Sequence, residues 1–301
     1  MRLTRIGGPT LLVEIGGWRM IVDPTFDPPG RRYAFGWGTS SIKMAGPALP
    51  LEALGSVDLA FVSHDHHADN LDDAGRRLLA TVATVVTTRA GARRLTHPDV
   101  KGLRAGQTVR LEAAGLPPLV ATATPARHGP PLSLPIAGPV IGLALSREGQ
   151  ARTELWITGD TVLTRRLLRT GRALDVDVMV VNGGGVAFGV TGPVRFTMTG
   201  ADAAKLVAST GPRVAVPAHY DGWSHFVDGE AGMRAALTLD PASATVIQWL
   251  PDGEAVDFAA PRPHRRRRKP SATSMPTGSS SPPAAPGVTP RPPDSSHAVR
   301  D

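Results

Sequence analysis

The chain has 301 residues, 41% of them hydrophobic, enough to bury a sizeable core in one large domain or two small ones. It contains no cysteine, which excludes disulfides, thiolate metal ligands and cysteine nucleophiles together. Of the formal charge of +7, a net +6 falls in residues 261–301; residues 1–260 are close to neutral, and no general nucleic-acid surface follows from the high pI.

Arg2–Ile6, Thr10–Ile15 and Arg19–Val22 are short apolar or alternating runs separated by Gly7-Gly8 and Gly16-Gly17, the pattern of a β-meander. Glu14 and Arg19 interrupt the apolar run that a signal peptide needs, and nothing approaches the roughly 20 apolar residues of a membrane span. A soluble cytoplasmic protein is the expectation. From Asp23 to about Pro50 the chain is rich in Pro and Gly and reads as a long connection, whose Tyr33, Phe35 and Trp37 could wall a substrate pocket or pack on one another. Val57–Val62 predicts a strand, and Leu71–Ala80 a helix capped by Asp69 or Asn70. Further strands are expected at Val82–Thr88, Leu119–Thr124, Ile141–Ser146, Glu154–Ile157, Val176–Val181, Val214–Val216, Ala244–Trp249 and Ala255–Phe258. Helices fit Gly91–Leu95, Val162–Arg169, Ala203–Ser209 and Ala231–Leu239. These elements assign residues 1–260 to one α/β domain. Residues 261–301, with the Arg265–Lys269 run followed by Pro, Ser and Gly, read as a disordered basic tail with at most weak affinity for polyanions.

Between the Val57–Val62 strand and its helix, Ser63–Asp72 packs three histidines and three carboxylates into ten residues. A polar turn would account for one solvated histidine, whereas three with interleaved aspartates point to metal binding. Other predicted strands also end in a potential ligand: His128, Asp160 and His219 each sit just past a β-run. Strand ends along one sheet edge converge, so two ions become plausible. One would use His128 with His64, His66 or His67, and the other Asp69 and His219, with Asp160 between them. Without thiolates, Zn²⁺ is the first choice, and Mn²⁺ or Fe²⁺ also suit N/O donors. Such a centre brings bound water toward a neutral pKa for hydrolysis. Asp69 is the candidate proton acceptor, with His225 and Tyr220 as candidate stabilisers of the oxyanion or donors to the leaving group.

The order His-x-His-x-x-Asp, His128-Gly129, Gly159-Asp160-Thr161 and Pro217-x-His219-Tyr220-x-Gly222-Trp223 resembles the metallo-β-lactamase fold over roughly Arg2–Phe258. Together with Ile6-Gly7-Gly8 and Asp23-Pro24, it is most similar to the branch of ascorbate-6-phosphate lactonase-like and N-acyl-phosphatidylethanolamine phospholipase D-like enzymes. The resemblance implies a four-layer αββα sandwich with metals at one edge of its sheets. It also implies that His64, His66, His128 and Asp160 match one metal site, and Asp69, Asp160 and His219 the other. The cluster departs from the family's His-x-His-x-Asp-His by one extra residue. His67 can therefore replace His66 as second ligand, and Asn70, a weak ligand, stands where the last histidine belongs. The expected function is metal-dependent hydrolysis of a small ester, lactone or phosphoester. The alternatives are a phosphodiesterase acting on phospholipid or nucleic acid, and a metal-binding protein with degraded catalysis.

Overall fold

A computed structural model describes residues 1–259; the tail expected at 261–301 lies outside the described residues. The meander forms β1 (Arg2–Gly7), β2 (Thr10–Ile15) and β3 (Trp18–Val22). The Pro/Gly-rich stretch is more than a connection: it holds the hairpin β4 (Arg32–Gly36) and β5 (Thr39–Ile42), whose Tyr33 and Phe35 alternate inward. Next come β6 (Leu59–Val62), α1 (Asp73–Leu79), β7 (Thr84–Thr88), α2 (Arg89–Arg94), β8 (Val100–Leu103), β9 (Thr108–Leu111), β10 (Leu119–Pro125) and the short α3 (Leu134–Ala137). The second half contains β11 (Ile141–Arg147), β12 (Thr153–Ile157), α4 (Arg165–Ala173), β13 (Val176–Asn182), α5 (Gly200–Thr210), β14 (Val214–Ala218), α6 (Gly229–Leu239), α7 (Pro241–Ala244) and β15 (Ala255–Asp257). The strand expected at Ala244–Trp249 does not form. Asp240 caps α7 there, and only Ile247 bridges to Ala215 of β14.

Seven strands pair in the order β15-β1-β2-β3-β6-β7-β8 and six in the order β14-β13-β12-β11-β10-β9. The apolar alternation within these strands builds three cores. Leu3, Val13, Met20 and Phe61 of the first sheet pack with Leu119, Leu143, Leu155 and Val178 of the second. On the outer face of the first sheet, Ile21, Ala60 and Val62 pack with Ala74 and Leu79 of α1. On the outer face of the second, Trp156, Met179 and Val181 meet Leu167, Leu206 and Met233 from α4, α5 and α6. Two sheets face to face, each covered by helices, make the four-layer αββα sandwich. Strands β12, β13 and β14 are parallel to one another, and β10 runs the same way through two antiparallel steps. Their C-terminal ends therefore share one edge.

Helix α1 begins later than its sequence suggests. Residues 67–71 close a turn, with the Asn70 and Leu71 amides donating to His67 O, and the N-cap is Asp72, whose carboxylate accepts from Gly75 N at 2.8 Å. Asp72 also accepts from the Phe26 and Asp27 amides and from Lys43 Nζ, so it ties three segments together beneath the cluster. The helix sits so close that a Cβ on Gly75 would lie 1.9 Å from the Pro24 carbonyl oxygen. Inside a helix, alanine normally outperforms glycine by about 1 kcal/mol. Here Gly75→Ala is expected to reverse that sign and destabilise by about 1–3 kcal/mol, the cost of overpacking, as read from the denaturant midpoint. A neutral or stabilising result would refute the close docking.

Candidate metal centre

The strand ends do converge. His64 follows β6 and His128 follows β10, and both meet His67 from the turn before α1. His67 Nδ1 lies 3.2 Å from His64 Nε2 and 3.2 Å from His128 Nε2. A second group gathers Asp69, His219 and His225, with Asp69 Oδ2 3.4 Å from His219 Nε2 and 3.3 Å from His225 Nε2. Asp160 Oδ1 stands 2.7 Å from the other nitrogen of His219. All seven residues are buried.

Neighbouring groups fix how these side chains point. His128 Nδ1 donates to Phe196 O at 2.8 Å, which orients the ring so that Nε2 is aimed at His67. His64 Nδ1 lies 3.1 Å from Ser63 Oγ, and Asn182 Nδ2 donates to Asp160 Oδ1 at 2.9 Å. His219 has a positive φ of 53° and Asp23 one of 39°, a sparsely populated region for residues other than glycine. Both positions are held by their neighbours: His219 N donates to Gly8 O, and Asp23 Oδ1 accepts from Ser63 N at 2.6 Å. Strain retained at strand ends beside a polar cluster is characteristic of functional sites.

The electrostatics call for cations. Burial and the adjacent rings of His67 and His128 hold His64 well below the usual imidazole range. Burial likewise depresses His67 to about 4 and His225 to about 4. His219 is the exception: burial disfavours its charge, but Asp160 and Asp69 outweigh it and push the ring up to about 10. Asp69 and Asp160 fall below the ordinary carboxylate range, because His219 and the other imidazoles overcome a burial penalty of opposite sign. Two buried carboxylates thus favour a positive charge beside them, which a protonated His219 or a bound cation can supply. Unpartnered atoms mark the same place. Of ten buried side-chain atoms without a hydrogen-bond partner among the described residues, six belong to Asp69, Asp160, His219 and His225. Donor atoms around a tetrahedral zinc with bonds of about 2.0–2.1 Å stand about 3.3–3.4 Å apart, close to the spacings found in both triads. The donor sets fit metal ions.

Four sequence expectations change. His66 does not join the imidazoles: its ring is partly exposed, with Nδ1 3.3 Å from Arg94 Nη2 and 3.8 Å from Asp65 Oδ1. The extra residue in the cluster turns His66 outward and brings His67 in. Asn70 is outside both triads. Its amide reaches Asp23 Oδ2 at 3.3 Å and Ser63 Oγ at 3.4 Å, so it supports the serine that faces His64. His225, expected only to assist, lies instead with Asp69 and His219 in a group whose donor atoms could hold a metal ion. Tyr220 is directed elsewhere: its ring packs against Trp249 and under the Arg5 guanidinium, in the helix-covered core. Asn182 and Ser63 escaped sequence reasoning, although Asn182 shares the strand-end signal, standing last in β13 before three glycines.

Among the aromatic residues of the hairpin, Phe35 lines a cleft over His67, Asp69 and His128. Tyr33 instead bonds Asp27 and packs on Trp223, and Trp37 is exposed at the hairpin tip.

Comparison with known proteins agrees with this architecture. The chain is 26% identical over 263 residues to a UPF0173 metal-dependent hydrolase of Cupriavidus taiwanensis, covering 83% of each. It is 28% identical over 266 residues to one of Thermofilum pendens, covering 85% of this chain and 99% of the relative. Its fold is shared with an isothiocyanate hydrolase from Delia radicum gut bacteria (TM-score 0.71, 21% identity, 86% of this chain and 100% of that one). It is shared also with the metallo hydrolase Igni18 of Ignicoccus hospitalis (TM-score 0.63, 21% identity, 86% and 99%). The profile of the beta-lactamase superfamily domain matches residues 18–220, from β3 to just past His219. With that match, the sandwich and the ligand-bearing strand ends, the chain belongs to the beta-lactamase superfamily.

Proposed function

We propose that the chain is a metal-dependent hydrolase with two ions, preferably zinc, acting on a small ester, lactone or phosphoester. The observation that carries this is the pair of buried triads, His64/His67/His128 and Asp69/His219/His225, with Asp160 beside the second. Ions bound there would acidify water and polarise the scissile group. The chain's own residues supply the rest. Asp69 lines the cleft, and its Oδ1 has no hydrogen-bond partner among the described residues, so this oxygen can take a proton from an attacking water and return it to the leaving group. Asn182 holds Asp160, and Phe196 O holds His128, so neither needs to reorganise during reaction. His225 completes the second triad, which supports catalysis over inert binding despite Asn70.

Metal analysis after reconstitution with Zn²⁺ or Mn²⁺ tests the proposal. Two equivalents per chain are expected, falling to about one in His225→Ala, and Asp69→Asn should lower kcat on 4-nitrophenyl esters by about 10²–10⁴. Binding of less than one equivalent, or an undiminished rate in Asp69→Asn, would overturn it.

A further inference from the structure

A second concavity opens on the ligand-bearing edge but contains none of the ligand atoms. Strands β7 and β8 end side by side, Thr88 opposite Leu103, and the start of β11 closes in from the other sheet. Ile141 N donates to Ser63 O, which ties this wall to the residue before His64. The buried Leu103, Val140 and Ile141 form an apolar floor, and the exposed Arg89, Arg93 and Arg104 surround it. The open groove has a volume of about 270 Å³, near the lower end of the range of about 300–1,000 Å³ for ligand pockets. Pro139 and Val140 line both this groove and the neighbouring hollow that reaches His128.

No histidine or carboxylate lines the groove, and its one other polar side chain, Thr88, caps α2. Elsewhere arginines find acidic partners, as Arg94 does with Asp65, Arg110 with Glu148 and Arg213 with Asp177. The three guanidinium groups of the groove have none among the described residues, and Arg104 engages Gln107 only through its backbone amide. The acids on adjacent segments are committed, Asp65 to Arg94 and Asp99 to Lys101 and Thr84. Arg89 and Arg93 stand four residues apart on α2, so like charges face each other, a destabilising arrangement. Arg89 also opens that helix, the end at which aligned peptide dipoles disfavour a cation. Folding gains nothing from this cluster, whereas a bound anion would turn its repulsion into attraction.

We propose that this groove is a second binding site, separate from the metal centre, for a small phosphomonoester with an apolar body, such as an aryl phosphate. Guanidinium groups present forked N–H donors that match phosphate oxygens in pairs, a geometry that lysine does not supply. A phosphomonoester carries a charge of about −1.5 to −2 at neutral pH and three acceptor oxygens, so it answers three arginines better than a carboxylate does. Its body rests on Leu103, Val140 and Ile141, where removal of apolar surface from water adds to the charge attraction. The site is independent of the hydrolase reading and stands whether or not the metal centre cleaves an ester.

Ligand-observed NMR with phenyl phosphate on the zinc-loaded full chain tests this. Arg93→Gln and Arg104→Gln should each weaken binding at least about fivefold with zinc content unchanged, the loss of a charge-assisted hydrogen bond. Ala105→Asp, which sets a carboxylate in the groove, should abolish binding. Inorganic phosphate, without the apolar body, and benzoate, with less charge, should each bind at least about fivefold more weakly than phenyl phosphate. His67→Ala, which alters the metal centre and leaves the groove intact, should not change the affinity. Binding that is indifferent to both arginine substitutions, or lost in His67→Ala, would put the phosphate on the metal ions and overturn the proposal. Benzoate or inorganic phosphate bound as tightly as phenyl phosphate would overturn the assignment of the ligand.

Discussion

His67→Ala is expected to remove about one equivalent of bound metal and to slow ester hydrolysis by at least about 100-fold, more than is typical when a residue merely supporting a ligand is lost. His66→Ala should leave both within about twofold. The two residues are adjacent and chemically identical, so the contrast isolates geometry. His67 Nδ1 is within 3.2 Å of both His64 Nε2 and His128 Nε2, whereas His66 turns toward the surface beside Arg94, with the buried Asp65 carboxylate 3.8 Å away. Metal analysis by mass spectrometry and initial rates on a 4-nitrophenyl ester check it. The opposite ranking, with His66→Ala the damaging change, would restore the simpler register and refute the arrangement described.

The second large effect concerns stability. Asp72→Ala should destabilise the protein by about 3–5 kcal/mol, the usual consequence of stranding one member of a buried ion pair. The Lys43 and Asp72 side chains are 3% and 0% exposed and 2.8 Å apart, so the ammonium left behind would be buried without its carboxylate partner. The same substitution removes the N-cap of α1 and the acceptor for the Phe26 and Asp27 amides. Asp72→Asn, which retains an acceptor but no charge, should fall between wild type and Asp72→Ala. Adding Lys43→Met to Asp72→Ala should recover part of the loss. Urea or guanidinium midpoints measure all three. A loss below about 1 kcal/mol in Asp72→Ala would show that the pair is solvated or replaceable.

Much of this centre is legible from the chain because ligands placed past strand ends announce a shared sheet edge. His64, His128, Asp160 and His219 all follow that rule and all meet. What stays hidden depends on distances that no spacing rule encodes. Whether His66 or His67 turns inward is decided by the turn at residues 67–71 and by α1 starting at Asp73, so one extra residue rotates the whole cluster. His225 lies in a loop after β14, where a lone histidine carries no periodic signal, and only the fold brings it 3.3 Å from Asp69. The β4–β5 hairpin is concealed by its two glycines and by the Pro/Gly-rich sequence on either side. The apolar run at 244–249 looks like a strand, yet the Pro241 turn leaves it a single bridge to β14.

The carbonyl that orients His128 belongs to Phe196, 68 positions further along the chain. A growing polypeptide released in order from its N-terminus can therefore bring three imidazoles together early but cannot aim the third until Phe196 has been made. The second triad waits longer still, for His225. Ribosomal synthesis at about 5–20 residues per second separates those moments by several seconds. No fragment that ends before His225 contains both triads, so loading of both would require nearly the whole sandwich.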